Sequence, residues 1–139
     1  MKILLNDQHG GFGVSNEALK LLYSRNGKTL RTQMSEWGEE ELYDGDEKVY
    51  YFDVDRTDPI LIEIFEEIGS LRASGPHAHL RLAELPDFCE FTIGEYDGLE
   101  WIDQTWIWVS IEELAEGLSE EKLQMAQRVG CIKIKRDSN

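Results

Sequence analysis

Apolar residues recur along the chain at spacings typical of both helices and strands. The clearest helix begins after Asp58, an N-cap residue that is followed by Pro59 at the first helical position. Its apolar side chains recur at steps of three and four residues, as one face of a helix requires: Leu61, Ile64, Phe65 and Ile68. Gly69 is the predicted end of this helix.

Capping residues predict the other helices. Ser15 is the predicted N-cap of a helix from Asn16 to about Asn26. Ser110 and Glu113 have the spacing of a capping box, which predicts a helix after Ser110. A further helical segment is predicted at residues 120–129, and a glycine follows it.

Extended segments are predicted between the helices. Apolar or alternating patterns indicate strands at residues 2–6, 29–34, 49–54, 78–85, 90–96, 99–102, 105–109 and 131–135. The rest of residues 28–48 is predicted to be a long, mobile, acidic loop.

The whole pattern predicts an α+β fold. It is a single compact domain over residues 1–139, in which two to four helices pack on a mixed or antiparallel sheet. Residues 106–139 are the predicted C-terminal extension of that domain.

The charge of the chain narrows the classes of partner. Its 139 residues include 14 Lys and Arg against 28 Asp and Glu, a net charge of -14. This surplus either serves solubility or forms an acidic face. It repels a nucleic acid backbone and an anionic membrane, so neither is expected to bind directly. No apolar run approaches the roughly 18 residues that cross a bilayer, and no signal peptide is evident. A cytoplasmic protein is therefore expected.

The segment His9-Gly10-Gly11-Phe12-Gly13 is the most suggestive candidate site. It lies between the first predicted strand and the helix capped by Ser15. Glycines let the backbone approach a ligand, and free N–H groups at a helix start favour an anion. The segment is thus a candidate phosphate cradle, with Arg56 as a further phosphate contact, although it is neither a Walker A loop nor a full dinucleotide fingerprint. The alternative is a tight strand-to-helix connection in which Phe12 fills the core.

A second candidate stretch runs from Glu95 to Trp101, where carboxylates alternate with aromatic residues. Glu95, Asp97 and Glu100 are candidates for binding ribose hydroxyls, and Tyr96 and Trp101 are candidates for stacking on a base. The alternative is a solvated hairpin turn at Asp97-Gly98.

Other residues give weaker signals. His77 and His79 lie two residues apart, but without a third ligand they predict no metal site, and no cofactor is expected. Cys89 lies among phenylalanines and is predicted to pack as a small hydrophobic residue. Trp106 and Trp108 share one side of a predicted strand, which is consistent with core packing and, as the alternative, with a stacking platform or a partner-binding face.

Several motifs resemble those of a family of small bacteriophage and prophage proteins. The resemblance covers residues 1–26 and about 53–102. It is carried by Gly10-Gly11-Phe12-Gly13 with Ser15, by Arg56-Thr57-Asp58-Pro59 and the helix after it, by Ala83-Glu84-Leu85-Pro86-Asp87 and by Glu95-Tyr96-Asp97-Gly98. Relatives tend to carry Cys-Tyr before the double glycine, where this chain has Gln8 and His9. The resemblance supplies no established activity, but it implies a phage context, in which small accessory proteins often counter host defence.

These observations favour binding over catalysis, because no nucleophile–base pair can be identified. The first hypothesis is a phage accessory protein of the host cytosol that sequesters a small anionic ligand, a nucleotide-type immune signal, through the two candidate stretches and Arg56. The second is an acidic inhibitor that mimics nucleic acid on a basic host protein. A small hydrolase using Glu95, Asp97 or His79 and a structural accessory domain are further alternatives. The sequence leaves a homo-oligomer open.

Overall fold

The computed structural model describes residues 1–135, which form an α+β fold. In this part of the chain, eight strands and four helices occur in the order β1 (Lys2–Asn6), α1 (Asn16–Arg25), β2 (Arg31–Met34), β3 (Glu40–Asp44), β4 (Glu47–Val49), α2 (Pro59–Ala73), β5 (Leu80–Glu84), β6 (Cys89–Tyr96), β7 (Leu99–Ser110), α3 (Ile111–Glu116), α4 (Glu120–Val129) and β8 (Ile132–Lys135). The predicted fold class is confirmed. The strands are divided among three small sheets, in the orders β1-β5, β2-β3-β4 and β6-β7-β8.

The described residues form two compact units. The larger unit comprises Lys2–Ala83 and Glu95–Trp101, and the smaller unit comprises Met1, Glu84–Gly94 and the residues from Ile102 onward. Each has its own hydrophobic cluster. The segment that the sequence presents as a C-terminal extension thus belongs with residues 84–94.

The predicted capping residues start the helices. The Ser15 side chain accepts a hydrogen bond from the Ala18 N–H, and Asp58 accepts one from the Ile60 N–H at 2.9 Å. Ser110 caps α3 in the same way. Helices α1 and α2 pack against each other in the larger unit and bury their apolar faces there: Ala18, Leu19, Leu22, Leu61 and Ile64.

Gly69 does not end the second helix but interrupts it. Its φ of 83° lies in the left-handed region, so α2 is kinked there and its last turn runs to Ala73. After the kink, the Ser70 hydroxyl donates to the Leu80 carbonyl oxygen at 2.6 Å, and the Ser74 hydroxyl accepts from the Leu80 N–H at 2.9 Å. The kinked turn is therefore fastened to the start of β5.

Residues 28–48 contain a three-stranded antiparallel sheet where the sequence predicts mostly loop. Thr32 pairs with Leu42, and Leu42 pairs with Val49 on the other side. Leu42 is buried in the core of the larger unit, whereas every residue of β2 is exposed. One buried side chain in a polar, acidic segment gives almost no alternating pattern, which explains the wrong prediction.

The strand predicted at residues 49–54 is also wrong beyond Val49. The Asp53 N–H donates to the Tyr50 carbonyl oxygen at 3.1 Å, so the chain turns where the aromatic residues lie. Aromatic content favours strands in general, but here Tyr51 and Phe52 are about half exposed on a turn.

The smaller unit contains most of the β6-β7-β8 sheet. β7 and β8 pair in parallel, with Ile107 opposite Ile132 and Trp108 opposite Lys133. Ile107 is fully buried in the cluster that includes Met125 of α4. Within residues 1–135, no helix combines the length and the hydrophobicity that a bilayer span requires.

Candidate functional site

The glycine segment and the Asp97-Gly98 turn meet in the larger unit. The Gly10 N–H donates to the Asp97 carbonyl oxygen at 3.0 Å. A Cβ atom on Gly98 would lie 2.1 Å from the Gly11 nitrogen, so the turn is packed directly on the double glycine. Both turn residues have positive φ, 50° at Asp97 and 89° at Gly98, as the two-residue turns of hairpins require. The predicted Asp97-Gly98 turn is confirmed.

Asn6 holds the glycine segment, the Asp97-Gly98 turn and His79 together, a role that its sequence context does not predict. Its amide nitrogen donates to the carbonyl oxygens of Gln8 and Gly98, both at 2.7 Å, and its amide oxygen accepts from the His79 N–H at 2.9 Å. Asn6 is fully buried. The only signal in the sequence is an amide side chain that directly follows a run of buried aliphatic residues.

Arg56 and Glu100 form a buried ion pair beside the loop. The guanidinium donates to both carboxylate oxygens at 2.7 Å and to the Leu4 carbonyl oxygen at 3.1 Å, and it lies 3.4 Å from the centre of the Phe12 ring. Glu100 is 7% exposed and also accepts from the Asn6 N–H. The Arg56 guanidinium is therefore engaged within the protein and is not free for the phosphate contact that the sequence predicts.

The backbone N–H groups of the glycine segment are only partly available. Those of Gly10, Val14 and Ser15 donate to carbonyl oxygens of the larger unit. The N–H groups of residues 11–13 have no acceptor among residues 1–135. Phe12 belongs to the hydrophobic core, as the alternative interpretation of this segment expects. Of the four N–H groups of residues 10–13, an anion could therefore use at most three.

A groove beside the loop is too small for a nucleotide. It has a volume of about 120 Å³ and is lined by residues 10–13, Tyr51, Phe52 and residues 75–78. Typical small-molecule sites enclose roughly 300–1,000 Å³. A Cβ on Gly13 would come within 2.5 Å of the Tyr51 ring, so the ring is packed closely on the loop. The groove can receive one side chain or a small group of atoms.

Exposed aromatic side chains surround the loop. His9 and Tyr96 meet edge to face, with ring centres 6.2 Å apart, and Tyr96 is 72% exposed. Tyr51 and Phe52 meet in the same geometry at 5.3 Å. The structure thus brings His9, Tyr96 and Asp97 to the loop and adds Tyr51 and Phe52.

Two predicted site residues lie further along the chain. Ser15 caps α1, and its hydroxyl also donates to the Arg72 carbonyl oxygen. Trp101 lies on β7 directly after Glu100 and is partly exposed. The position of Ser15 is therefore set by its role as the N-cap of α1, and that of Trp101 by the strand β7.

The cations of the larger unit are almost all paired with carboxylates. The unit has 18 Asp and Glu against nine Lys and Arg. Eight of these nine cations form ion pairs within the unit, namely Lys2–Glu66, Lys20–Glu40, Arg25–Glu67, Lys28–Asp44, Lys48–Glu41, Arg56–Glu100, Arg72–Glu17 and Arg81–Asp7. The ninth, Arg31, lies 4.6 Å from the centre of the Tyr43 ring. The larger unit therefore presents surplus carboxylates and almost no spare cation.

Two of these pairs change the titration of their carboxyl groups. A hydrogen bond from Arg72 lowers the pKa of Glu17, and one from Lys20 lowers the pKa of Glu40. Both carboxylates therefore stay ionised to a lower pH than an unpaired glutamate does.

Within residues 1–135, no group of three or more His, Cys, Asp or Glu side chains is arranged to hold a metal ion. Comparisons with protein families, with curated proteins and with solved structures give no match. The resemblance to phage proteins therefore stays a prediction.

Proposed function

We propose that the chain is a non-enzymatic binding protein, of the phage accessory type, that docks on a basic host protein through the larger unit. The observation that carries this proposal is the twofold excess of carboxylates over cations in that unit, together with the internal pairing of eight cations. Such a surface attracts Lys and Arg side chains and repels phosphate groups. Blocking a basic nucleic-acid site in the host cytosol is the counter-defence role that fits.

The turn between β2 and β3 supplies an anchor for such a partner. Trp37 is 87% exposed there, between Glu36 and Glu39, which form no ion pair among residues 1–135. The Ser35 hydroxyl accepts hydrogen bonds from the N–H groups of Trp37 and Glu39, so the turn is ordered. Tryptophan is one of the residue types that most often dominate the binding energy at interfaces.

The test compares three variants of the full chain in binding to host proteins. Proteins retained by the immobilised chain are identified, and the affinity of the purified basic partner is measured by calorimetry. We expect Trp37→Ala to weaken binding at least about tenfold, since an anchor of this type contributes roughly 2 kcal/mol or more. Replacing Glu36 and Glu39 by Gln should reduce the salt dependence of binding. Leu71→Ala is the matched control, because Leu71 is 91% exposed on α2 outside this turn.

Two results would contradict the proposal. One is that no basic protein is retained at low ionic strength. The other is that Trp37→Ala binds the partner as tightly as the unaltered chain while Leu71→Ala does not.

Sequestration of a nucleotide-type immune signal is a second candidate. The unpaired N–H groups of residues 11–13 and the adjacent Tyr51 and Phe52 rings favour it, whereas the small groove and the lack of a spare cation count against it. The chain is incubated with nucleotide signals, separated from free ligand and heated. Release of intact ligand supports sequestration, and release of altered ligand indicates an enzyme. If no ligand is retained, docking on a basic host protein stays the proposed function.

A further inference from the structure

Among the described residues of the smaller unit, three cations have no carboxylate partner. Arg128, Lys133 and Lys135 form no ion pair among residues 1–135, in contrast to the paired cations of the larger unit. Lys133 instead places its ammonium nitrogen 3.9 Å from the centre of the Trp106 ring and 5.9 Å from that of Trp108. Spare positive charge in this acidic chain is thus found beside two tryptophans.

Register places these side chains on one face of the sheet. Trp106 and Trp108 are two residues apart on β7, and Lys133 of β8 is paired with Trp108. The residues that alternate with the tryptophans, Ile107 and Val109, are buried in the hydrophobic cluster of the smaller unit. The aromatic and cationic face is therefore the side of the strand that the cluster does not use.

Both indole N–H groups on this face lack an acceptor. The Nε1 atoms of Trp106 and Trp108 are buried, and neither has a hydrogen-bond partner among residues 1–135. A buried donor is nearly always paired in a folded protein, so two adjacent exceptions require an explanation. A ligand that brings an acceptor atom is one explanation, and if that atom is negatively charged it also explains why Lys133 has no carboxylate partner in the described part of the chain.

A cavity of suitable size adjoins Trp106 and Lys133. It has a volume of about 450 Å³, within the range of small-molecule sites, and its polar lining includes Lys133, Asp103, Gln104 and Cys131 beside Trp106. It is lined by residues of the smaller unit alone. Trp108 lines a different cavity.

We propose that this face binds a small molecule that combines a flat ring with an oxyanion, a phosphate or a carboxylate. The oxyanion draws the Lys133 ammonium group away from the indole ring and pairs with it, and one of its oxygens accepts the hydrogen bond that the Trp106 N–H lacks. The ring of the ligand then stacks on the tryptophan surface that Lys133 covers in the free protein. This site is separate from the docking surface of the larger unit and does not depend on it.

The test uses protection of a thiol in the cavity. Cys131 is exposed and lines the cavity, while Cys89 is buried, and burial raises the pKa of its thiol, so it serves as an unreactive reference. The full chain is alkylated with iodoacetamide in the presence of one small molecule at a time. Two anions, adenosine monophosphate and benzoate, are each compared with a neutral counterpart, adenosine and benzamide respectively. We expect at least one of the two anions to slow alkylation of Cys131 in a saturable manner and its neutral counterpart to have no effect. Protection by the nucleotide indicates a phosphate ligand, and protection by benzoate indicates a carboxylate ligand.

Two lysine variants make the test specific. Lys133→Gln should weaken protection at least about tenfold, the loss expected when a charge-assisted contact is removed. Lys48→Gln is the matched control, because Lys48 also lies over an aromatic ring, that of Tyr50 at 5.4 Å, but in the larger unit. Trp106→Phe, which keeps a ring and removes the N–H, should weaken binding as well.

The proposal is wrong if neither anion protects Cys131, if the neutral molecules protect it equally, or if Lys133→Gln binds as well as Lys48→Gln. Circular dichroism of each variant shows whether the fold is retained. Lys133 is an exposed residue of β8, so its substitution is expected to leave the fold unchanged.

Discussion

The guanidinium of Arg56 and the carboxylate of Glu100 form two parallel hydrogen bonds, each 2.7 Å long, between residues that are 44 positions apart in the chain. Each partner also holds backbone, Arg56 through the Leu4 carbonyl oxygen and Glu100 through the Asn6 N–H. The pair thus joins β1, the segment before α2 and β7, and its role is structural.

Loss of Arg56 should therefore destabilise the larger unit. Arg56→Met leaves the Glu100 carboxylate buried without its counter-ion, and the expected loss is about 3–5 kcal/mol in the free energy of unfolding. Urea unfolding followed by circular dichroism measures it.

A double variant distinguishes the buried charge from a simple loss of packing. In Arg56→Met combined with Glu100→Gln, the charge is gone but the amide oxygen can still accept from the Asn6 N–H, so most of the stability should return. If the double variant is as unstable as Arg56→Met, the explanation by an unpaired charge is incorrect.

Gly98 should tolerate no side chain. In Gly98→Ala the new methyl group would meet the Gly11 nitrogen at 2.1 Å and the Gly10 nitrogen at 2.7 Å, and φ would remain near 89°. We expect a loss of about 2–4 kcal/mol, from backbone displacement together with conformational strain. Gly27→Ala is the control, because its φ of 78° is similar but no atom lies within 4 Å of the added Cβ. It should lose only about 1 kcal/mol, so equal losses in thermal or urea unfolding would rule out the close contact.

The ion pair between Glu113 and Lys122 should give the smaller unit a defined pH dependence. The hydrogen bond from Lys122 lowers the pKa of Glu113 below its usual 4.5 in the folded protein. A lowered folded-state pKa contributes stability above pH 4.5, and that contribution is lost as the pH falls through the lower, folded-state value. The difference in unfolding midpoint between the unaltered chain and Lys122→Met should therefore shrink on acidification.

Arg128→Met provides the comparison for this pH series. Arg128 lies on the same helix, α4, but forms no ion pair among residues 1–135. Its effect on the unfolding midpoint should stay nearly constant over the same pH range. A Lys122→Met difference that does not change below pH 4.5 would show that the pair contributes no pH-dependent stability.

The sequence predicts the helices well because their signals are local. Ser15, Asp58 and Ser110 each satisfy an N–H group two or three residues further on, so capping is visible without knowledge of the tertiary structure. The Asp97-Gly98 turn was predictable for the same reason, since both residues accept positive φ.

The site was only partly predictable, because its contacts join distant segments. The sequence indicates that Arg56 and Glu100 are charged, but only the tertiary structure shows that they neutralise each other. Asn6 shares this property, with hydrogen bonds to residues 73 and 92 positions away. These three side chains could each contact a ligand as judged from the sequence, but in the folded protein they form hydrogen bonds with other parts of the chain.

The kink at Gly69 explains why one leucine lies in water. Leu71 follows Ile64 by seven positions and Ile68 by three, so an uninterrupted helix would direct it toward the same buried face. The left-handed glycine changes the direction of the last turn, and Leu71 is 91% exposed. The periodicity of an apolar stripe therefore identifies buried positions only up to the first break in the helix. At Leu71, a polar residue should be accepted without loss of folding.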